Sequence, residues 1–271
     1  MHITREKFFQ KVKISAIAMI KMLINGIKAP LEQNGNTKEV MGCIRGKVMA
    51  DTFIITDVVA LPVEGTETRV NAGYEAQSFL MDYLEFGAKV GKPEMSVGWY
   101  HTHPGLTCYL SGIDVTTQKL NQQSSDPFLA IVVDPINTLA SGKVNVKCFR
   151  TFSEKYVNQV KVVNESIPSD KLKDFGAFAD KYYQIEHSFY KSPKEEDLLE
   201  VLWSKYWIES ISSCPTRNLK EYTTKKLEDI ATKAEMVESG QEKMVNLCNM
   251  LQGISREVGN ALSCELIKVN I

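Results

Sequence analysis

The sequence predicts an α/β fold, a mixed β-sheet flanked by helices, followed by a C-terminal helical region. Three observations lead there. Short β-rich runs alternate with amphipathic stretches over residues 1–165, the run FLAIVV is apolar enough for a strand buried on both faces, and helix-forming sequence takes over from 166 to 271. The chain is accordingly divided into a first unit, 1–165, and a second, 166–271.

Residues 12 to 25 carry apolar groups at helical spacing and predict the first helix. The stretch APLEQNGNT then supplies turn residues before EVMGCIRGKVM and TFIITDVVALPV, two β-rich runs that predict a hairpin. After the polar loop EGTETRVNAG, the positions Ala76, Phe79, Leu80, Tyr83 and Phe86 recur every three or four residues, which predicts a helix with one buried face. MSVGWYHTH reads as a strand stopped by Pro104, since proline cannot donate a ladder hydrogen bond.

SGIDVTTQKLNQQ has a helix start: a serine that can accept from free backbone amides and an early aspartate at the positive end of the dipole. FLAIVVDP and KVNVKCFRTF predict two further strands. Beyond them YYQIEHSFY, EEDLLEVLWSKYWIESI and the tail from Tyr222 read as helical. In that tail Leu227, Ile230, Ala234, Val237, Gln241, Met244, Cys248 and Leu251 alternate steps of three and four, a seam that requires a partner. Gly240, Gln241 and Gly253 weaken the seam, which favours a helix completing a bundle over a long isolated coiled coil.

Composition narrows the function. With 271 residues, 44% hydrophobic, 24% charged and a net charge of -1, the chain has no field that would favour nucleic acid or an anionic membrane. Six cysteines without a CxxC pair suit a reducing compartment, cytosol or nucleus. REKFFQKVKISAIAMIKMLING imitates a signal peptide, yet Lys21 interrupts it, no small-residue cleavage site follows, and no run approaches the roughly eighteen apolar residues of a membrane span.

The chemistry concentrates in GWYHTHPGLTCYLSGIDVTTQ. On a strand His101 and His103 project from the same side, one pleat apart, and a reversing turn lets Asp114 come back as a third ligand. Two histidines and a carboxylate leave one tetrahedral position open, as in catalytic rather than structural zinc sites. Ser111 is placed to donate a hydrogen bond to an oxyanion. Local spacing does not identify the general base. The plainer alternatives are two histidines sharing a strand face, and Ser111 with Asp114 serving only as a helix cap. Cys108, in the same loop, reads as a structural thiol because no nearby histidine is left to activate it.

The run H-x-H-P followed by Ser111 and Asp114 resembles the JAMM (MPN+) metalloprotease motif. VGWYHTHPG and CYLSGIDVTTQ are similar to the catalytic subunits of the COP-nine signalosome and the proteasome lid, while LPVEGTETRVNA and FYKSPKEEDLLEVLWSKYWIESISS are closer to the signalosome isopeptidase. The resemblance runs from about residue 12 to 225. It implies an MPN/JAB, cytidine-deaminase-like fold and one zinc ion held by His101, His103 and Asp114. The implied reaction is hydrolysis of the bond joining a ubiquitin-like modifier to a cullin lysine. It further implies that Glu39, in EVMG, is the catalytic glutamate and Ser111 the oxyanion donor.

By the same resemblance the partners are other signalosome subunits, especially the non-catalytic MPN subunit, with neddylated cullin-RING ligases as substrate and a cytoplasmic and nuclear location. A proteasome-lid-like deubiquitinase and a non-catalytic MPN scaffold are the alternatives; the scaffold usually lacks the ligands that this chain keeps. The GTETR loop matches a segment that sets an arginine, here Arg69, against the aspartate ligand and holds the free subunit inactive until a partner moves the loop. The chain departs from the family pattern at Thr102, Tyr109 and the Leu106–Thr107 pair, where serine, tryptophan, and an aromatic with glycine are usual. The segment before the first helix is also shorter than is typical.

Overall fold

The computed structural model describes residues 9–29, 38–63, 73–91, 94–152, 178–212, 216–238 and 244–270. Strand β1 (Lys11–Ser15) leads directly into helix α1 (Ala16–Ile27), and strands β2 (Met41–Met49) and β3 (Thr52–Ala60) form an antiparallel pair. Helix α2 (Tyr74–Lys89), strand β4 (Ser96–Thr102), helix α3 (Gly112–Ser125) and strand β5 (Leu129–Val133) follow. Helix α4 (Pro135–Ser141), strands β6 (Val146–Thr151) and β7 (Tyr182–Tyr190), and helices α5 (Pro193–Ser212), α6 (Thr216–Glu238) and α7 (Met244–Asn270) complete the order. Among the described residues no helix is long and apolar enough to cross a membrane.

The strands lie in the order β1-β3-β2-β4-β5-β6-β7, and β7 pairs in turn with β1, so the sheet curls onto itself. Alternation along each strand sorts side chains to its two faces. Leu129, Ile131 and Val133 of β5 join Val12, Ile14, Phe53, Ile55 and Tyr100 in one core, under α1. Ala130 and Val132 point the other way, where they pack with Met41, Trp99, Cys108, Leu110 and Val115 under α3. The candidate site residues belong to this second side.

Four local readings are corrected by long-range pairing. Residues 11–15 are strand rather than helix: Val12 and Ile14 are buried between β3 and β7, and the side chain of Ser15 caps α1 by accepting the Ala18 N–H. YYQIEHSFY is a strand, not a helix, because its β-branched and aromatic residues find partners in β1 and β6, far away in sequence. In α2, Ala76 is buried but Phe79 and Phe86 are exposed, so the apolar stripe is only partly covered. The tail is two helices rather than one seam. Ile230, Ala234 and Val237 of α6 pack against Leu247, Met250, Ile254 and Val258 of α7, while Leu227, Met244, Cys248 and Leu251 face outward.

Among the described residues, contacts of Glu195 and Tyr222 fasten the helical region to the sheet domain. The Glu195 carboxylate, at the start of α5, accepts the Ser192 N–H at 2.6 Å and the hydroxyl of Ser15. Tyr222 of α6 packs on Ala140 of α4 and donates its hydroxyl to Glu257 of α7 at 2.6 Å.

Two glycines permit the close strand approaches beside the site. A Cβ at Gly98 would lie 2.2 Å from the Leu129 carbonyl oxygen, and one at Gly42 would lie 2.3 Å from both the Tyr100 ring and the Val59 carbonyl. Backbone cannot yield as a flexible side chain can. Gly98→Ala is therefore expected to separate β4 from β5 and to cost about 3 kcal/mol or more, measured as a lowered urea midpoint.

Candidate metal centre

Strand β4 carries the site because it sits between β2 and β5 and is buried along nearly its whole length. Its alternation puts Trp99 and His101 on the α3 side, and His103, just past the strand end, continues that row. Both imidazoles are almost fully buried. The His103 N–H donates to the Val133 carbonyl at 2.9 Å, so the chain stays in register with β5 before it turns.

The turn ends at α3 in a reciprocal cap. The Ser111 hydroxyl accepts the Asp114 N–H at 3.3 Å, and the Asp114 Oδ2 accepts the Ser111 N–H at 2.8 Å. That cap fixes the Asp114 carboxylate in the first turn of the helix. Its Oδ2 then lies 3.5 Å from His101 Nε2 and 4.0 Å from His103 Nε2. The two Nε2 atoms are 3.1 Å apart, and the ligand atoms of all three residues fall within 4.8 Å of one another.

Glu39 reaches the same point from the segment just before β2. Thr102 clamps its neighbour Val40: the Val40 N–H donates to the Thr102 hydroxyl and the Thr102 N–H to the Val40 carbonyl, each at 2.9 Å. With Met41 paired to His101, the Glu39 Oε1 comes 3.8 Å from His103 Nε2 and is buried. Ser111 stands beside Asp114, its hydroxyl oxygen already engaged as a cap acceptor. Arg69 lies outside the described residues.

The electrostatics are those of a cluster short of positive charge. Burial first, and the nearby Asp114 second, push the Glu39 carboxyl up to about 9. Burial, reinforced by His101, pushes His103 down to about 3 and so keeps it neutral. Burial alone would raise Asp114, but His101, its hydrogen bond, His103 and Ser111 outweigh it and hold the carboxyl well below the usual range.

The donor set fits a divalent cation. His103 Nδ1 donates to the Thr107 carbonyl at 3.1 Å, and since a carbonyl only accepts, Nε2 of that ring is bare. It therefore aims a lone pair at the other two donor atoms. The Nδ1 of His101 is buried without a hydrogen-bond partner. Two imidazole nitrogens and a carboxylate oxygen converging on one point form a donor set suited to a divalent cation.

Several supporting residues escaped the sequence reading. Trp99 stacks on His101, with ring centroids 4.7 Å apart, and its indole N–H donates to Gln118 Oε1 at 2.9 Å. Tyr109 packs edge-on against His103. The alternation of Trp99 with His101 was the available signal. Cys108 is fully buried, donates to Asn145 Oδ1 at 3.2 Å, and burial holds its thiol well above the ordinary value, which accords with a structural role.

Thr107 adopts φ of 67°, a left-handed conformation that a β-branched residue rarely takes. Thr107→Gly is expected to stabilise the chain by about 1 kcal/mol, read as a higher urea midpoint.

A family model described as JAB1/Mov34/MPN/PAD-1 ubiquitin protease matches residues 7–127. The chain is 44% identical over 234 residues to COP9 signalosome complex subunit 5b of Arabidopsis thaliana, covering 86% of this chain and 64% of that protein. It is 45% identical to COP9 signalosome complex subunit 5 of Dictyostelium discoideum, covering 86% of this chain and 69% of that one. For the subunit 5 of Drosophila melanogaster the identity is 45%, covering 86% and 70%. The chain thus spans roughly two thirds of the length of these relatives. Joined to the His101, His103 and Asp114 cluster on this mixed sheet, these likenesses show that the chain belongs to the JAB1/Mov34/MPN/PAD-1 family, alongside the subunit 5 proteins of the COP9 signalosome.

Proposed function

We propose that the chain is a zinc-dependent isopeptidase, the catalytic subunit of a signalosome, which removes a ubiquitin-like modifier from cullins in cytoplasm and nucleus. The observation that carries this reading is the convergence of His101, His103 and Asp114 with Glu39 3.8 Å from one of the imidazoles. The names of the relatives support the assembly; the buried donor set supports the metal.

Bound zinc supplies a Lewis acid that polarises the scissile carbonyl and makes a solvent molecule nucleophilic near neutral pH. His101, His103 and Asp114 would hold it. Glu39, protonated while no cation is near, becomes a carboxylate beside one and is placed to take a proton and return it to the departing lysine amine. The Ser111 hydroxyl oxygen accepts from the Asp114 N–H, which leaves its own hydrogen to donate to the oxyanion. Trp99 and Tyr109 brace the two imidazoles and help exclude bulk water.

The test compares zinc content and cleavage of a neddylated cullin for the free chain and for the chain assembled with its complex. Stoichiometric zinc with cleavage on assembly supports the proposal; absence of zinc ends it, and preferential cleavage of ubiquitin chains replaces it by the deubiquitinase reading.

We further propose that the free chain is held inactive by Arg69 paired with Asp114, as the family resemblance implies. Arg69→Ala is expected to raise the cleavage rate of the free chain about tenfold, the effect of removing roughly 1.4 kcal/mol of inhibitory contact, and to change the assembled rate little. A rate unchanged in the free chain counts against the clamp.

A further inference from the structure

We propose that Asp134 is a positioning residue of the metal centre: its carboxylate clamps the strained turn between His103 and Thr107, which delivers the Thr107 carbonyl to His103 Nδ1. Asp134 immediately follows β5 and is fully buried. Its two oxygens receive four hydrogen bonds. Oδ1 accepts the Gly105 and Asn137 N–H groups, each at 2.9 Å, and Oδ2 accepts the Thr107 N–H at 2.9 Å and the Asn137 side-chain amide at 2.6 Å.

Capping α4 uses only the Asn137 side of this arrangement. The other two bonds cross to a turn 27 and 29 residues earlier in the chain. That turn is one its own sequence holds poorly. Gly105 has φ of 75° and Thr107 has φ of 67°, and for threonine such a conformation persists only where surroundings over-determine it. The carboxylate is that constraint: it fixes the amides at both left-handed positions with full acceptor capacity.

The consequence reaches the metal ligand in one further contact. Held in this shape, Thr107 points its carbonyl at His103 Nδ1, 3.1 Å away. The ring is thereby locked with its proton on Nδ1 and its bare Nε2 turned toward His101 Nε2 and Asp114 Oδ2. Outer groups that orient a ligating histidine in this way typically change metal affinity by about 10–100-fold. Asp134 touches neither ligand nor substrate and acts through the Thr107 backbone.

This inference rests on reading His101, His103 and Asp114 as a metal centre. The experiment titrates the metal-free chain with cobalt(II), following visible absorption for affinity and ligand geometry, with near-ultraviolet circular dichroism as the check on folding. In Asp134→Asn an amide hydrogen replaces one acceptor, while the cap on α4 is kept, because asparagine caps as well as aspartate. Cobalt affinity is expected to fall about 10–100-fold with an altered spectrum. Adding Thr107→Gly should restore most of the affinity, since glycine takes positive φ without a clamp. Asn137→Ala, which removes contacts on the helix side alone, should lower the thermal midpoint but leave cobalt affinity within about twofold, well short of the orienting effect.

A folded Asp134→Asn variant that binds cobalt like the wild type, with the same spectrum, overturns the proposal. Should that variant not fold, nitrogen-15 shifts of His103 in the metal-free wild type decide: the Nδ1–H form supports the clamp and the Nε2–H form overturns it. A wild-type chain that takes up no cobalt defeats the metal reading itself, a failure distinct from the other two.

Discussion

His101→Ala is expected to empty the metal centre and abolish cleavage. His101 Nε2 is the donor nearest both partners, 3.1 Å from His103 Nε2 and 3.5 Å from Asp114 Oδ2, so its loss leaves one nitrogen and one oxygen where three donors converged. Losing an orienting neighbour of a ligand costs about 10–100-fold in affinity, and losing a ligand should exceed this. Purified variant should hold far less than one zinc per chain, and the assembled complex should cleave a neddylated cullin at least about a thousandfold more slowly, some 4 kcal/mol of lost transition-state stabilisation. A second measurement separates metal loss from unfolding: added zinc raises the thermal midpoint of the wild type by mass action and leaves that of the variant unchanged. Retained zinc with intact cleavage would remove the basis of the enzyme reading.

Glu39→Gln should give the opposite pairing, activity lost but metal retained, because Glu39 stands outside the three-donor set, 3.8 Å from one imidazole. A proton acceptor contributes about 10²–10⁴-fold, so a rate loss in that range is expected. The same variant should also alter the pH dependence of stability in the metal-free chain. Glu39 is pushed from 4.5 up to about 9, so between those values the folded state holds a proton that the unfolded state has released, and stability falls as pH rises. His103, pushed from 6.5 down to about 3, acts in the reverse sense and favours the folded state as pH rises through that lower window.

Between pH 4.5 and 6.5 these two slopes oppose each other, and above 6.5 only the Glu39 slope remains. Between pH 6.5 and about 9 the metal-free wild type should therefore lose about 3 kcal/mol more than Glu39→Gln does. Zinc should also flatten the wild-type curve, because a nearby cation favours the carboxylate. Urea titrations at a series of pH values, with and without metal, measure both effects. An equal decline in the variant would show that Glu39 does not carry that proton.

The His101, His103 and Asp114 cluster was legible in sequence because its geometry is local. His101 and His103 share a strand face by simple alternation, and Ser111 and Asp114 form a cap whose residue types announce it. The plain reading of Ser111 as a helix cap is what the structure shows, and that cap holds Asp114 in place. Glu39 was reachable only through family resemblance. It comes to the site through the β2–β4 pairing across 62 residues, and no local pattern distinguishes it from a solvated strand end. Asp134 was invisible for the same reason, since its turn bonds skip from one loop to another.

The fold was read well where pairing is between neighbours and poorly where it is not. The β2–β3 hairpin and the helix at α3 follow from adjacent residues. β1 and β7 do not: each has a short β-rich sequence next to helix-forming sequence, and pairing with strands distant in sequence decides the outcome. In the tail, a regular spacing suggested one seam, but two helices satisfy it by packing on each other, so part of the stripe turns outward.

The pairing of Lys11–Ser15 with Glu186–Tyr190 also orders events during synthesis. At about 5–20 residues per second, a ribosome needs roughly 10–40 s to travel from the first of these segments to the second. Throughout that interval the β1 backbone has an open edge beside β3, the kind of edge that recruits stray strands. Newly made chains that stall before residue 190 should consequently depend on chaperones and be prone to capture by other nascent polypeptides, whereas completed chains shut that edge with their own sequence.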